Sequence, residues 1–253
     1  MSIQLKINKK MNLKVPEFVC DQSPLGEHLD KYDVLKHLNN YGFNAIVGKP
    51  GSGKTSLLIS FLTGKGPSKV YRKVFDNVLL VMPNSSIASM KKNVFRNHHE
   101  DKMFNELNFN SMDNIMNKLH SYTEEKENTL LILDDVGASL KNKELQKQLR
   151  ELIYNRRHLK CQIIMLVQSF TSIPKEIRKL FTNIFMFKPS KVEFEKLFEE
   201  MFETKKDKAT DIMNFTYKEP HDWLMLNVDS QRMYKKFDEL IVPNDNDEKI
   251  MSH

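Results

Sequence analysis

The sequence predicts an α/β fold, with one mostly parallel central sheet and helices on both faces. Three observations predict it. Short apolar runs of strand length recur along the chain, separated by segments with helical apolar spacing. A glycine-rich octapeptide lies between the first such run and the first clear helix. Six of the eight glycines fall between Gly42 and Gly66, so backbone freedom is concentrated where the chain must approach something closely.

The elements follow in order. Residues 1 to about 40 read as a preamble with a helix near Leu25 to Leu38. Phe43 to Val47, bounded by Gly42 and Gly48, reads as a buried strand, and Thr55 to Leu62 as a helix. Asn77 to Met82 is a second strand, closed by Pro83 and Asn84. A polar, Asn-rich and mostly helical stretch then runs to about Lys126. Thr129 to Leu133 is a third strand. In Leu140 to Tyr154, residues Leu145, Leu149, Leu152 and Ile153 share one helical face. Cys161 to Val167 and Asn183 to Phe187 are the fourth and fifth strands, and Val192 to Phe202 is a helix. Trp223 to Val228 and Met233 to Ile241 form a closing strand pair, and Asn244 to His253 a polar tail. No internal repeat is visible.

A chain of 253 residues, 40% hydrophobic and 28% charged, suits one large α/β domain with terminal additions. The expected organisation is a preamble (1–40), one main α/β domain (41–243) and the tail (244–253). The net charge of +6 and pI near 9.1 suit a polyanionic partner. Cys20 and Cys161 match no metal-ligand spacing. Cys161 opens an apolar run and is expected to be buried and reduced, in a reducing compartment. Apolar runs reach only five residues, as in Ile163 to Val167, too short to span a bilayer, and MSIQLKINKK lacks the apolar core of a signal peptide. A soluble, intracellular protein is expected.

Gly48-Lys49-Pro50-Gly51-Ser52-Gly53-Lys54-Thr55 fits the phosphate-loop pattern G-x-x-x-x-G-K-[ST], in the required position between strand and helix. The glycines let backbone N–H groups line an anion nest, and the helix N-terminus adds partial positive charge. Lys54 is expected to reach the β- and γ-phosphates of ATP and the Thr55 hydroxyl to ligate Mg²⁺, with Ser56 completing the nucleotide-binding segment. The third strand runs into Asp134-Asp135. Asp134 would hold Mg²⁺ through water and Asp135 would accept a proton from the attacking water. A helix N-cap after a strand is the structural alternative. The fourth strand ends in Gln168-Ser169, which makes Gln168 a candidate for sensing the γ-phosphate, or simply a solvated strand end.

Only seven residues are arginine, yet Arg156 and Arg157 are adjacent, just before that strand. A planar guanidinium can stabilise a transferring phosphoryl group, often from a neighbouring subunit. Cations also complement a helix C-terminus, and the sequence leaves both readings open. Arg178 is a further candidate, or one half of a surface ion pair. A GTPase is the rival class, because Asp134-Asp135-Val136-Gly137 fits D-x-x-G and Thr204-Lys205-Lys206-Asp207 loosely fits a guanine-reading motif. That motif needs a preceding buried strand, and Phe194, Leu197, Phe198, Met201 and Phe202 have helical spacing instead.

Four segments, NAIVGKPGSGKTSLL, TLLILDDVGASL, NRRHLKCQIIMLVQSFTSIPKEIRKLFTNIF and HDWLMLNVDSQRMYKKFDEL, resemble the genome-packaging ATPases of large DNA viruses and virophages. These are the poxvirus-type branch of the FtsK–HerA superfamily, and the resemblance covers about Phe43 to Leu240. It implies a P-loop NTPase with a RecA/FtsK-like sheet. Gln168 is then the sensor, Arg156 or Arg157 the trans-acting arginine, and an acidic pair at Asp134-Asp135 is usual. It further implies a homo-oligomeric ring that moves double-stranded DNA, gripped at its phosphates without sequence reading; the other class left open is a nucleotide-dependent switch or binding module in replication or assembly. A capsid or portal partner, and a place in the host cytoplasm (viral factory) or the virion, go with it. Lys141, Lys143, Lys147 and Arg150 are candidates for that grip, as are Lys65, Lys69, Arg72 and Lys73. For any single one of them, an ordinary solvated cation is the commoner case.

Overall fold

The computed structural model describes residues 24–88, 94–202 and 206–242. Cys20, most of the preamble and the expected tail lie outside the described residues. The sheet has nine strands in the order β3-β2-β4-β5-β1-β6-β7-β8-β9. They are β1 (Phe43–Val47), β2 (Asn77–Val81), β3 (Met103–Phe104), β4 (Thr129–Asp134), β5 (Cys161–Val167), β6 (Asn183–Phe187), β7 (Trp223–Asn227), β8 (Arg232–Lys235) and β9 (Asp238–Glu239). β1 to β6 pair in parallel, and β7 to β9 add on antiparallel beyond β6.

Helices cover both faces, so the central strands are buried almost along their whole length rather than alternating buried and exposed. Successive side chains nonetheless point to opposite sides. Phe43, Ala45, Val47, Leu131, Leu133, Ile163 and Met165 enter one core, while Ile46, Leu130, Ile132, Ile164 and Leu166 enter the other. On the first side lie α4 (Phe109–Glu124), α5 (Lys143–Asn155), α7 (Lys191–Met201) and α8 (Lys206–Thr216). On the second lie α2 (Lys54–Thr63) and the N-terminal α1 (Asp33–Lys36). The short α3 (Asn84–Ala88) and α6 (Lys175–Arg178) follow β2 and β5. In α5, Leu145, Leu149, Leu152 and Ile153 are the buried face, as their spacing requires. The Asn142 side chain caps it by accepting from Glu144 N and Leu145 N at 3.0 and 3.2 Å.

The expected helix over Leu25 to Leu38 is two short turns, a 3₁₀ turn at Glu27–Asp30 and α1, with Tyr32 extended between them. The reason is phase. Leu29 and Val34 are both buried, but five residues at about 100° each would place them about 140° apart on one helix. Breaking the helix brings both to the same core. The polar stretch expected to be mostly helical contains α3 and α4 but also the two-residue edge strand β3. The last expected strand is a hairpin, β8 and β9, turned at Lys236 with φ 58°. Among the described residues, no helix is long and apolar enough to cross a membrane.

Candidate active site

Parallel β1, β4 and β5 deliver their C-terminal ends to one edge of the sheet, where open α/β folds bind ligands. β5 lies between β1 and β4, with Val47 opposite Val167 and Asp134 opposite Leu166. The Gly48 amide donates to Val167 O at 3.0 Å and that of Asp135 to Leu166 O at 3.4 Å. Gln168, one residue further, is exposed at the tip between the phosphate loop and the acidic pair. Residues scattered over 120 positions of sequence are thereby brought to one edge.

The loop depends on its glycines. Gly51 and Gly53 have φ of 76° and 110°, in the region L side chains avoid. A Cβ on Gly48 would come within 2.5 Å of Ser52 Oγ and 2.9 Å of Phe187 Cβ. Lys49 and Pro50 are exposed, and Ser52 and Thr55 half-buried. Ser56 is exposed in the first turn of α2. The Lys54 ammonium donates to Gly48 O at 2.6 Å and Lys49 O at 3.2 Å. Burial pulls its pKa below the ordinary lysine range, and the charges of Asp134 and Asp135 pull it partly back. Burial, then the Asp135 carboxylate, push Asp134 above its ordinary range, while Lys54 and a hydrogen bond from Ser86 oppose them. Asp135 is exposed just past the strand, with φ 54°, a conformation Asp tolerates better than most residues.

The donor set suits Mg²⁺. A half-buried hydroxyl and a carboxylate whose ionised form needs help offer hard oxygen ligands. Among the described residues, no cluster of three or more His, Cys, Asp or Glu could form a cage. One carboxylate plus phosphate oxygens is how Mg²⁺ is commonly held beside a nucleotide. A separate hollow of about 260 Å³, lined by Leu62, Tyr71, Phe75, Val78 and Phe95, opens at the far end of α2 and contains none of these residues.

The arginines separate into three roles. Arg156 spends its fork on backbone: Nε donates to Tyr41 O at 2.8 Å and Nη1 to Ile153 O at 2.7 Å. Burial, then the adjacent Arg157, lower its pKa. Arg157 is exposed. Both precede β5, at the opposite edge of the sheet from the phosphate loop. Seven residues of β5 separate the edges, about 20 Å at ~3.3 Å per residue, too far to serve the subunit's own nucleotide. Arg178 is neither a surface pair nor a free guanidinium. It is 5% exposed, holds both Glu200 oxygens at 2.5 and 2.6 Å, donates to Ile173 O at 2.9 Å and lies over the Phe170 ring. Arg178→Ala would strand the Glu200 carboxylate. It should cost about 3 kcal/mol of stability, lowering the thermal unfolding midpoint by roughly 10 °C; an unchanged midpoint would contradict this buried-pair role.

One contact carried no signal in the sequence. Glu193 on α7 accepts from Ser169 Oγ at 2.7 Å and Phe170 N at 2.5 Å, holding the chain just past Gln168. Cys161 is buried and free, its thiol pushed up to about 12 by burial. Thr204 and Lys205 of the guanine-like tetrapeptide lie outside the described residues, and Lys206 opens α8 rather than following a strand.

Residues 30–251 match the profile of the Poxvirus A32 protein family. The chain belongs to that family. It is therefore a P-loop ATPase of the genome-packaging type, as the sequence resemblance implied. Solved structures share the fold at low identity. The genome packaging NTPase B204 from Sulfolobus turreted icosahedral virus 2, in complex with ATP-gammaS, superposes with TM-score 0.60 at 14% identity, covering 76% of this chain and 95% of that one. The same NTPase in complex with sulfate gives 0.58 at 17%, covering 80% and 98%. B204, the DNA-packaging ATPase from Sulfolobus turreted icosahedral virus, gives 0.59 at 16%, covering 76% and 95%. No curated protein shows significant sequence similarity to this A32-family chain.

Proposed function

We propose that this A32-family ATPase is a motor that translocates double-stranded DNA during genome packaging, hydrolysing Mg·ATP at the interfaces of a homo-oligomeric ring. The observation that carries the chemistry is the placement of β5 between β1 and β4, which sets Gln168 between the phosphate loop and the acidic pair. Gly48, Lys49, Pro50, Gly51, Ser52, Gly53, Lys54, Thr55 and Ser56 hold the triphosphate. Thr55 and Asp134 would hold Mg²⁺, which when bound would neutralise charge on the β- and γ-phosphates. Asp135 takes the proton of the attacking water, and Gln168 contacts that water and the γ-phosphate.

Arg157, exposed at the opposite edge, suits a neighbour's site, whereas Arg156 is a brace for Tyr41 and Ile153. A second copy of the chain is thus required for full activity. The similar structures named as packaging enzymes, together with the positive net charge, support DNA as the cargo; a capsid or portal component would be the docking partner. Lys141 and Lys143 are exposed near the nucleotide edge. Lys65, Lys69, Arg72 and Lys73 lie between the end of α2 and the start of β2, at the other edge. Arg150 is paired with Glu176, and Lys147 lies 3.7 Å from Glu144. Only one set can line a ring's channel at a given level. Neutralising that set should abolish stimulation of ATP hydrolysis by duplex DNA and flatten its salt dependence. A purified protein whose hydrolysis is indifferent to duplex DNA at every salt concentration would defeat the translocase assignment.

The acidic pair yields a sharper expectation. Asp135→Asn should bind Mg·ATP normally and turn it over roughly 10²-fold more slowly. Asp134→Asn should lose the Mg²⁺-dependent part of ATP affinity. Titrations of nucleotide with and without Mg²⁺, beside steady-state rates, separate the two; normal rates in Asp135→Asn together with normal binding in Asp134→Asn would mean the pair is wrongly placed.

A further inference from the structure

We infer that His221 is a positioning residue for the phosphate loop, fixing the Ser52–Gly53 peptide so that the Gly53 amide faces the phosphates. This rests on the assignment of Gly48 to Thr55 as the triphosphate site. His221 Nδ1 lies 2.8 Å from Ser52 O, a contact between residues 169 apart in sequence. A carbonyl oxygen can only accept, so Nδ1 carries the hydrogen, in the neutral ring as in the charged one. The peptide is planar and trans, and its N–H points opposite to its C=O. Drawing the Ser52 carbonyl toward His221 therefore turns the Gly53 N–H away from it, into the concave side of the loop.

The loop needs such a clamp because little else holds this peptide. Gly51 and Gly53, on either side of Ser52, both have positive φ, and glycine crosses that region freely. Ser52 Oγ is buried without a hydrogen-bond partner. Ser52 N donates to Lys49 O at 3.1 Å, but its carbonyl turns outward to the histidine. A Cβ on Gly53 would meet Phe187 Cε1 at 3.3 Å and His221 Nδ1 at 3.5 Å, so the residue is confined between the end of β6 and the turn before β7.

The clamp has a firm base. His221 itself has φ 63°, a conformation that persists only when its surroundings enforce it. Asp222, 2% exposed, does so. Its Oδ2 accepts from Glu219 N at 3.0 Å, and Asp222 N donates to Glu219 O at 3.2 Å, closing the turn. Lys235 and Lys236, from the β8–β9 hairpin, place their ammonium groups 3.1 Å from Oδ2 and Oδ1. Burial pushes this carboxyl up, but the Glu219 amide and the two lysines overcome it and hold it at about 2. Trp223 then pairs with Phe187 across β6 and β7, joining the turn to the floor of the loop.

The test uses the full chain with His221→Gly and His221→Asn. Glycine accepts φ near 60° without strain, so it removes the donor while sparing the turn. Asparagine also tolerates that φ, and its Nδ2–H reaches as Nδ1–H does. Calorimetric titration with ATPγS and with inorganic pyrophosphate should show His221→Gly weakened about tenfold for both, the scale of one hydrogen bond. His221→Asn should stay within about threefold of wild type. Three results would overturn the inference: wild-type affinity in His221→Gly, an Asn variant as weak as Gly, or a loss confined to ATPγS, which would place His221 at the base or sugar. Wild-type protein that binds neither probe would overturn the phosphate-site assignment as well, so the two failures are distinguishable.

Discussion

Lys54→Ala should lose ATP hydrolysis by about 10³-fold or more and bind ATP weakly, in a protein that remains folded. Of the side chains in the loop and acidic pair, Lys54 alone combines full positive charge with hydrogen bonds into the loop, to Gly48 O and Lys49 O. Its charge is desolvated, and a charge out of water interacts more strongly with phosphate than an exposed lysine does. It also offsets the repulsion between Asp134 and Asp135, both of which it feels. Removing it leaves Asp134 with burial and a like charge and less to oppose them, so the carboxylate that should face Mg²⁺ is harder to ionise. The fold should survive because alanine suits the first turn of α2 and the core contacts of that helix come from Leu57, Leu58 and Phe61. Circular dichroism, nucleotide titration and phosphate release measure the three parts separately. A folded Lys54→Ala protein with near-normal turnover would remove the basis for placing catalysis here.

The contrast between Lys54 and Arg178 shows what the chain's order of residues reveals. The phosphate loop, the acid-ended strand and the polar tip of β5 are local patterns: each is a strand followed at once by its functional residues, and strand boundaries follow from apolar runs. β5 and β6 occupy the very residues their apolar runs mark. What each arginine does depends instead on partners distant in sequence. Arg178 meets Glu200 across 22 positions, and Arg156 meets Tyr41 across 115. Without the fold, a buried fork and a free one look alike. His221 is the extreme case, since a histidine in a turn before a late strand says nothing of a loop at residue 52 until β7 is known to pair antiparallel with β6. The break between the N-terminal turns is hidden for a different reason. Helical spacing holds within Leu25 to Leu29 and within Val34 to Leu38, but the phase slips between them, and a count of apolar residues alone hides the slip.

Arg157→Ala should bind Mg·ATP like wild type and fail to hydrolyse it, and it should silence wild-type subunits mixed with it. The two edges of the sheet force this pairing of outcomes. Arg157 stands about 20 Å from its own phosphate loop by strand length, so its loss leaves the subunit's own nucleotide contacts intact. In a ring, the edge bearing Arg157 must approach the nucleotide edge of the next copy for the guanidinium to act. A finger arginine contributes roughly 10³-fold or more to turnover, so each Arg157→Ala subunit should inactivate one neighbouring site. Activity in mixtures, with DNA present, should fall faster than in proportion to the mutant fraction if sites fire in sequence, and at least in proportion if they fire independently. Lys54→Ala is the control: its own site is dead, yet its Arg157 still serves the next subunit. Arg156→Ala should behave differently, because its guanidinium is engaged by the carbonyls of Tyr41 and Ile153. Its main loss should be stability, read as a lower unfolding midpoint, with hydrolysis falling only as the α5–β5 junction loosens. Wild-type activity should also rise with protein concentration as subunits assemble. Full activity in Arg157→Ala, or wild-type turnover per subunit that is constant down to concentrations where the protein is monomeric, would rule out an arginine acting across the interface.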